Sequence, residues 1–388
     1  MSRRRGTERA VAELITRLVA SHNCEVHLYA HEVEDIDVVP FGKSVSGSAT
    51  HPIWHRVPRI PGPHLLQFLF WMTYNHLWRS RDRWLRGIRF DAVFSPGVNA
   101  LDADVILVHA VFHRLRELQK SRRLSGVHEL HRSLYYSLVC LLEGAVYRQS
   151  SLRLAAVSKH TAAQLRHYFG SKDIVVIPNG VDLSYFSASN RLALRADARR
   201  NLNYSSTDVV VLLVGNDFHT KGLPTLLNSL SLCRNLPLRL CVVGSDASFD
   251  GVKRITDMSL RDRVTFAPES TDILPFYAAA DIYVAPSRED SFNLPALEAM
   301  ACGVPVVVSA HAGITEYVRH GVDCLVLRNP EDPHELAETL RLFVNDPSMA
   351  AKFGANSPTT ASTLSWDRHA ESVYRLLNCP SSSASPQS

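Results

Sequence analysis

The sequence predicts an α/β protein whose two parallel-sheet domains face each other across a cleft. At 388 residues the chain is longer than one ordinary hydrophobic core needs, so two domains are expected. From residue 208 onward, short apolar runs alternate regularly with helical patterns. Continuous apolar strands that alternate with helices predict a parallel sheet covered by helices on both faces.

The first half begins with a helix and shows a looser alternation. Apolar residues at helical spacing predict an amphipathic helix over 8–20. Residues 34–63 are rich in Pro, Gly, Ser and Asp, which predicts loops around a short strand. Apolar runs predict five further strands, at 26–30, 91–95, 105–109, 152–157 and 174–177.

The second half gives the clearer pattern. Its predicted strands lie at 209–214, 238–243, 264–266, 281–285, 304–308 and 324–327. A final amphipathic helix is expected over 366–377. We therefore expect an N-terminal domain over 1–190, a C-terminal domain over 191–378 that includes the returning helix, and a disordered Ser/Pro-rich tail over 379–388.

Composition and patterning exclude several classes of protein. A net charge of +4 with 21% charged residues lacks the dense basic stripe that a nucleic-acid partner requires. The seven cysteines contain no C-x-x-C pair, which favours reduced thiols over a disulfide frame or zinc site. No apolar run reaches the roughly 18–20 residues of a spanning helix, and the start does not resemble a signal peptide. We expect a cytoplasmic protein, or one attached peripherally to the inner face of the membrane.

The chemistry is expected at one edge of the second sheet. In an open parallel sheet, ligands bind beyond the carboxyl ends of the strands. Three loops of the second half follow strand ends, namely 215–222, 244–246 and 286–293. Their unusual residues should therefore lie close together.

The segment around Pro295 carries the features of a phosphate site. Pro295 suits the first turn of a helix, and the amides just before it would then point out of the helix start toward an anion. Lys221, at the start of a neighbouring helix, can neutralise a diphosphate. Glu298, about one turn into its helix, can accept hydrogen bonds from sugar hydroxyls. Singly, Glu298 and Lys221 could be ordinary surface residues; together they indicate a nucleotide-diphosphate sugar.

At these residues the sequence resembles glycosyltransferase family 4 (glycosyl transferases group 1), the retaining GT-B type. The resemblance is tightest over 208–330, and its most specific stretch is VTFAPESTDILPFYAAADIYVAPSREDSFNLPALEAMACGVPVVVSAHAGITEYVRHGVDCLVL. The first half agrees more loosely, at 6–9, 157–159 and 176–182. The resemblance implies two Rossmann-like domains that transfer a sugar from a nucleotide-diphosphate sugar. The implied acceptor is a glycan or a lipid-linked molecule of cell-surface polysaccharide or glycolipid synthesis.

The resemblance also implies roles for single residues. The second glutamate of the family's E-x7-E motif falls at Glu298, which would bind the donor ribose, and the first falls at Asp290, near the donor sugar. Lys221 matches the lysine for the donor diphosphate, and His109 matches a histidine at the cleft wall, although a core histidine is an equal alternative. The implied catalytic residues are Asp290, Glu298, Lys221 and His109; the implied donor-binding residues are Gly215, Asn216, Lys221, Ala267, Asp290, Phe292, Asn293, Leu294 and Glu298; the acceptor side is assigned to Gly6 and His109.

Three departures from the family pattern affect these expectations. Asp290 is one methylene shorter than glutamate, and Asn216 replaces a basic residue. The chain also lacks the usual first strand, and only Gly6 remains of a two-glycine turn. Because that strand is central in such a sheet, we expect the natural reading frame to begin upstream, with roughly 15–20 more residues that encode an apolar strand and a glycine-rich turn.

Other functions remain open from the sequence. A metal-dependent transferase would use a D-x-D site, and Asp35–Asp37 and Asp102–Asp104 fit that short string, but neither lies in the second half, so no metal is expected. A dinucleotide-dependent dehydrogenase is excluded because the chain has no G-x-G-x-x-G. A nucleotide-sugar epimerase and a non-catalytic nucleotide-sugar binder remain as alternatives.

Residues 64–86 combine apolar side chains with arginines, which is typical of a helix at a membrane surface. The run 65–72 is apolar all round, which also fits burial inside a domain. Peripheral membrane contact is therefore one of two expectations for this segment.

Overall fold

A computed structural model describes residues 6–42, 51–120, 127–170, 173–246 and 249–379. The chain divides into two compact units. Unit 1 comprises Met1–Pro178 with Asp367–Ser388, and unit 2 comprises Asn179–Trp366. Each unit is an α/β structure, as the strand–helix alternation predicted.

The helices and strands are as follows, in chain order. The helices are α1 Gly6–His22, α2 His64–Leu85, α3 Phe112–Lys120, α4 Val127–Val146, α5 Lys159–Phe169, α6 Ala188–Asn201, α7 Leu223–Leu232, α8 Gly251–Asp257, α9 Leu274–Ala279, α10 Leu294–Ala301, α11 Pro333–Asn345, α12 Pro347–Ala361 and α13 Trp366–Asn378. The strands are β1 His27–Ala30, β2 Val39–Pro40, β3 Ile53–Arg56, β4 Phe94–Ser95, β5 Val105–Val108, β6 Arg153–Ala156, β7 Val175–Val176, β8 Val209–Val214, β9 Leu238–Val243, β10 Val264–Ala267, β11 Ile282–Ala285, β12 Val306–Ser309 and β13 Leu325–Leu327.

Unit 2 contains one six-stranded parallel sheet in the order β10-β9-β8-β11-β12-β13. All six predicted strands are confirmed, with small differences at their ends. Their apolar residues are buried against α7 and α11, which explains why the runs are continuous and not alternating. The strand order reverses between β8 and β11, and this switch point is where a parallel sheet opens a crevice for ligands.

The sheet of unit 1 is in two pieces. One piece has the order β1-β3-β2 and the other β4-β5-β6-β7, and all of their pairings are parallel. The five predicted strands are confirmed, and the 34–63 segment contributes two strands where one was expected. Among the described residues, β1 and β4 each end one of these pieces and are not hydrogen-bonded to each other.

The boundary between the units differs from the expected one at residue 190. Residues 179–190 belong to unit 2, within which the Val181 amide donates to the Leu364 carbonyl at 2.9 Å. The final helix belongs to unit 1, although it was expected in the second domain. Arg17 donates to Asp367 at 2.6 Å and Arg153 donates to the Leu376 carbonyl at 2.7 Å, so α13 is bound to α1 and β6.

Three further expectations concern the cysteines, membrane-spanning helices and the C-terminal tail. Each of the seven cysteines is a free thiol, as their scattered spacing predicted. No helix of the described residues combines the length and the apolar character needed to cross a membrane. The predicted tail lies outside the described residues apart from Cys379.

Candidate functional site

Loops at the switch point of unit 2 pack backbone against backbone. Gly215 follows β8 with φ +149°, and Gly244 follows β9 with φ +142°. A Cβ atom on Gly244 would lie 2.2 Å from the Gly215 carbonyl oxygen, so only glycine allows this approach. The predicted convergence of the loops after β8 and β9 is therefore present in the structure.

Lys221 and Asp290 join the loop after β8 to the loop after β11. The Lys221 ammonium lies 2.6 Å from a carboxylate oxygen of Asp290. The lysine stem crosses Gly215, where an added Cβ would meet Lys221 Cε at 3.1 Å. Gly222, the next residue, packs directly against the loop after β11, because a Cβ there would lie 1.9 Å from the Pro286 carbonyl oxygen. The cation is therefore held at the switch point by two loops.

This ion pair is largely shielded from water. The side chains of Lys221 and Asp290 are 23% and 9% exposed. An anion that enters here would meet a lysine whose charge is weakly screened, and it would compete with Asp290 for that charge. Two residues that the sequence assigned to the donor site are thus in direct contact.

The start of α10 has the predicted form. Asn293, at φ +73°, caps the helix by accepting from the Ala296 amide at 3.1 Å, and Pro295 stands in the first turn. The Tyr283 hydroxyl donates to the same Asn293 oxygen at 3.1 Å. Burial raises the pKa of Tyr283 well above its usual value, so this hydroxyl stays a donor. The buried Tyr283 hydroxyl therefore helps to hold Asn293 in its left-handed conformation, and this conformation fixes the position of the Leu294 amide.

One of the three predicted phosphate-binding amides already has a partner. The Phe292 amide donates to Asp290 Oδ1 at 3.4 Å, a long hydrogen bond. The same carboxylate thus lies between Lys221 and the start of α10. Asp290 occupies the place at which cation and helix start meet, where an anion would be most strongly stabilised.

Glu298 lies about one turn into α10 and is only 2% exposed. Its Oε2 accepts from the Tyr277 hydroxyl at 2.8 Å, and that hydroxyl is also 3.1 Å from the Pro295 carbonyl oxygen. The alternative of a solvated helix glutamate is therefore wrong. Tyr277 was missed from the sequence, although a tyrosine within the apolar segment LPFYAAA should find a partner for its hydroxyl.

Asn216 holds the two glycine loops together. Its Oδ1 accepts from the Ser245 amide at 2.9 Å. The Ala267 carbonyl accepts from the Gly244 amide at 3.0 Å, and the Ser245 hydroxyl donates to Glu269 at 3.1 Å. Asn216 therefore carries no charge to the site and instead fixes the loop after β9 beside the end of β10.

His109 and Gly6 lie in unit 1. His109 directly follows β5, and its Nε2 atom is buried without a hydrogen-bond partner among the described residues. Burial, together with the nearby His369, lowers the pKa of His109 to about 3, so its imidazole is neutral near pH 7. Gly6 begins α1 and is exposed, and an added Cβ would meet nothing within 4 Å.

The carboxylates of the D-x-D pair Asp102–Asp104 have partners within unit 1. Asp102 pairs with Arg79 and with Arg83, the latter at 3.2 Å, and Asp104 accepts from the Val93 amide at 2.7 Å. Elsewhere in unit 1, His113, Cys140 and Glu143 have potential metal-ligand atoms within 4.8 Å of one another. Glu143 already accepts from the Phe112 and His113 amides and from His113 Nδ1, which is the arrangement of a cap on α3.

The segment 64–86 forms α2, which buries several polar side chains and leaves several apolar ones exposed. Its buried side chains are Met72, Asn75, Arg79 and Asp82. Its exposed apolar side chains are Leu66, Leu69, Leu77, Trp84 and Leu85. Arg81 and Arg86 pair with buried Asp82, each at 3.1 Å. The expected burial of 65–72 is therefore only partial, and the arginines already have partners within the protein.

Comparison with known proteins finds two family models. A model described as glycosyl transferases group 1 matches residues 195–360, and one described as glycosyltransferase family 4 matches residues 4–185. A D-inositol 3-phosphate glycosyltransferase of Nocardiopsis dassonvillei is 32% identical over 258 residues, which cover 61% of this chain and 58% of the relative. One of Thermobifida fusca is 33% identical over 232 residues, covering 55% of this chain and 52% of the relative. The matched segments thus span just over half the length of these two relatives.

Solved structures share the fold over nearly the whole chain. WaaG, a glycosyltransferase involved in lipopolysaccharide biosynthesis, has a TM-score of 0.75 at 20% identity, covering 96% of each chain. Sucrose-phosphate synthase of Thermosynechococcus elongatus has a TM-score of 0.73 at 22% identity, covering 96% of this chain and 92% of the other. Anabaena HepE in complex with UDP and glucose has a TM-score of 0.70 at 20% identity, covering 96% and 95%. The fold is thus the GT-B fold.

Proposed function

Since the chain belongs to the group 1 glycosyltransferases of family 4, we propose that it transfers a sugar from a nucleotide-diphosphate sugar, with retention of configuration, at the switch point of unit 2. The observation that carries this proposal is the Lys221–Asp290 ion pair beside the start of α10. It combines a weakly screened cation with a helix dipole at one point of the ligand-binding edge. A diphosphate is the part of a nucleotide sugar that such a point favours.

The donor is proposed to lie along this edge in three parts. The diphosphate meets Lys221 and the Asn293 and Leu294 amides, the ribose hydroxyls meet Glu298, and the base lies near Ala267. Tyr277 acts as a positioning residue, because its hydroxyl holds the Glu298 carboxylate at 2.8 Å. Anabaena HepE, which shares the fold, has been solved with UDP-glucose, and this supports a nucleotide-sugar donor here.

Fixed charges would provide most of the stabilisation of the transition state. As the bond from the sugar to the diphosphate breaks, negative charge grows on the leaving phosphate. Once Lys221 has exchanged Asp290 for the bound phosphate, it and the helix-start amides face that charge in fixed positions, which is the arrangement that stabilises a transition state most effectively. Asp290 is proposed to lie next to the reacting sugar and to release Lys221 to the phosphate. His109, neutral near pH 7, is proposed for the acceptor side as a hydrogen-bonding group.

The acceptor is proposed to be a glycan or a lipid-linked molecule of cell-surface polysaccharide or glycolipid synthesis. WaaG, which shares the fold, is involved in lipopolysaccharide biosynthesis. The exposed apolar strip of α2, which comprises Leu66, Leu69, Leu77, Trp84 and Leu85, supports peripheral contact with the membrane that would carry such an acceptor.

Removal of the Glu298 carboxylate is expected to weaken donor binding. Hydrogen bonds to a charged group contribute about 1.5–3 kcal/mol, so Glu298→Ala should lower the affinity for the donor by about ten- to a hundredfold in calorimetry. Glu338→Gln is the matched control, because Glu338 is exposed on α11. Unchanged affinity in a folded Glu298→Ala protein would exclude this role.

Sugar transfer is expected not to require a divalent metal, since Lys221 and the α10 amides supply the positive charge for the leaving group. Product formation should continue at full rate in EDTA, measured by release of the nucleoside diphosphate with an acceptor present. Complete loss of transfer in EDTA that manganese restores would contradict this. Donor binding without any turnover, with or without metal, would favour the non-catalytic binder.

Membrane contact is expected to depend on the apolar strip of α2 more than on its arginines. Because Arg81 and Arg86 already pair with Asp82, sedimentation with anionic vesicles should persist at high salt. Trp84→Ser should reduce the bound fraction severalfold, whereas Leu342→Ser, which removes an exposed leucine of unit 2, should not. Absence of vesicle binding in the unaltered chain would refute the proposed contact.

A further inference from the structure

Three side chains that can bind a metal ion lie together in unit 1, where α3 packs on α4. They are His113 of α3 and Cys140 and Glu143 of α4, and one potential ligand atom of each lies within 4.8 Å of the other two. Cys140 and Glu143 are three positions apart, so they lie on one face of α4 about one turn apart. None of the three is among the residues assigned to the donor or the acceptor.

The surroundings enclose this group on one side. Cys140 and Glu143 are buried, whereas the side chain of His113 is 30% exposed. The His113 ring packs edge-on against the Phe169 ring, with 5.0 Å between the ring centroids. An ion bound here would therefore be held by buried ligands from α4 and reached by water from the His113 side.

Glu143 retains the capacity to bind an ion although it caps α3. Its Oε1 accepts from the Phe112 amide at 2.9 Å, and its Oε2 accepts from the His113 amide at 3.2 Å. Because a carboxylate has about four lone-pair positions, these two bonds leave about two of them. Oε2 also lies 2.8 Å from His113 Nδ1. A metal ion can take the place of the proton in that contact and leave the cap on α3 intact.

The set of ligand atoms favours zinc. A thiolate, an imidazole and a carboxylate are the groups that bind Zn²⁺ in tetrahedral sites, and the soft thiolate selects against Mg²⁺. Metal–ligand distances of about 2.0–2.3 Å place the ligand atoms of such a site about 3.3–3.8 Å apart. The 4.8 Å limit therefore requires the three atoms to approach by roughly 1 Å. Rotation of the partly exposed His113 side chain supplies such a movement.

The charges around the group suit a divalent ion. Binding releases the proton of the Cys140 thiol to water, so the thiolate and the Glu143 carboxylate together balance the two charges of Zn²⁺. Arg116 and Lys120 of α3 act electrostatically on Cys140, and Arg116 also hydrogen-bonds its sulfur. Their positive charge opposes a cation, whereas an N–H donor to the sulfur orients and stabilises the thiolate that binds it.

We propose that His113, Cys140 and Glu143 form a zinc site that joins α3 to α4, with water as the fourth ligand. His113 binds the ion through Nδ1 and carries its proton on Nε2. The role of the ion is structural, because it fixes the start of α3, which follows His109 closely in the chain. Since the cap on α3 remains without the ion, this site does not make sugar transfer depend on a metal.

Cobalt tests the proposal most sharply, because Co²⁺ replaces Zn²⁺ in such sites and gives a near-ultraviolet charge-transfer band when a thiolate binds it. The full chain, reduced and freed of metal, should develop this band on titration with Co²⁺, and added Zn²⁺ should abolish it. Cys140→Ser should remove the band, whereas Cys379→Ser, which removes an exposed thiol, should retain it. Absence of the band from the unaltered chain, or its survival in Cys140→Ser, would overturn the proposal.

Zinc affinity gives a second measurement that does not depend on the thiolate signal. In competition with a chromophoric chelator, His113→Ala should weaken Zn²⁺ binding by at least the about tenfold that loss of a supporting residue costs in zinc sites. His167→Ala is the matched control, because it removes an exposed histidine of α5. Melting profiles show that each variant is folded. Equal Zn²⁺ affinities of folded His113→Ala and His167→Ala would refute the site.

Discussion

Parallel strand pairing with a reversal between β8 and β11 is the constraint on which the candidate site depends. It brings the carboxyl ends of the strands to one edge, and the two glycine loops let that edge close backbone to backbone. The Lys221–Asp290 pair then lies where the loops after β8 and β11 meet. Because the pair is mostly buried, its charges interact strongly with each other and with any anion that replaces Asp290 as the partner of Lys221.

The two units differ in how their strands are grouped into sheets. In unit 2 the strands from β10 to β13 form an unbroken ladder whose apolar faces are buried against helices. In unit 1 the strands form two separate ladders, β1-β3-β2 and β4-β5-β6-β7. The proposed donor edge depends only on unit 2, whereas His109 of unit 1 directly follows β5.

The sequence predicted the positions of helices and strands better than the contacts that they make. Strand positions followed from apolar runs, and Pro295 marked the start of α10, because both are local signals. The role of Asn216 could not be predicted, since its partner Ser245 is fixed only by the packing of two glycine loops. The place of α13 in unit 1 was missed for a similar reason: its contacts with Arg17 and Arg153 join residues more than 200 positions apart in the chain. For α2, the apolar pattern did not reveal that Arg79 and Asp82 face inward.

The central claim is that two residues at one edge of unit 2 bind different parts of the donor: a lysine binds the phosphates and a glutamate binds the ribose. Calorimetry with UDP and with uridine on Lys221→Met tests it most directly, with Lys253→Met as the control for an exposed lysine. The account predicts that Lys221→Met lowers the affinity for UDP by about tenfold or more and leaves uridine binding unchanged. Equal UDP affinity in the variant, or a parallel loss of UDP and uridine binding, would contradict it.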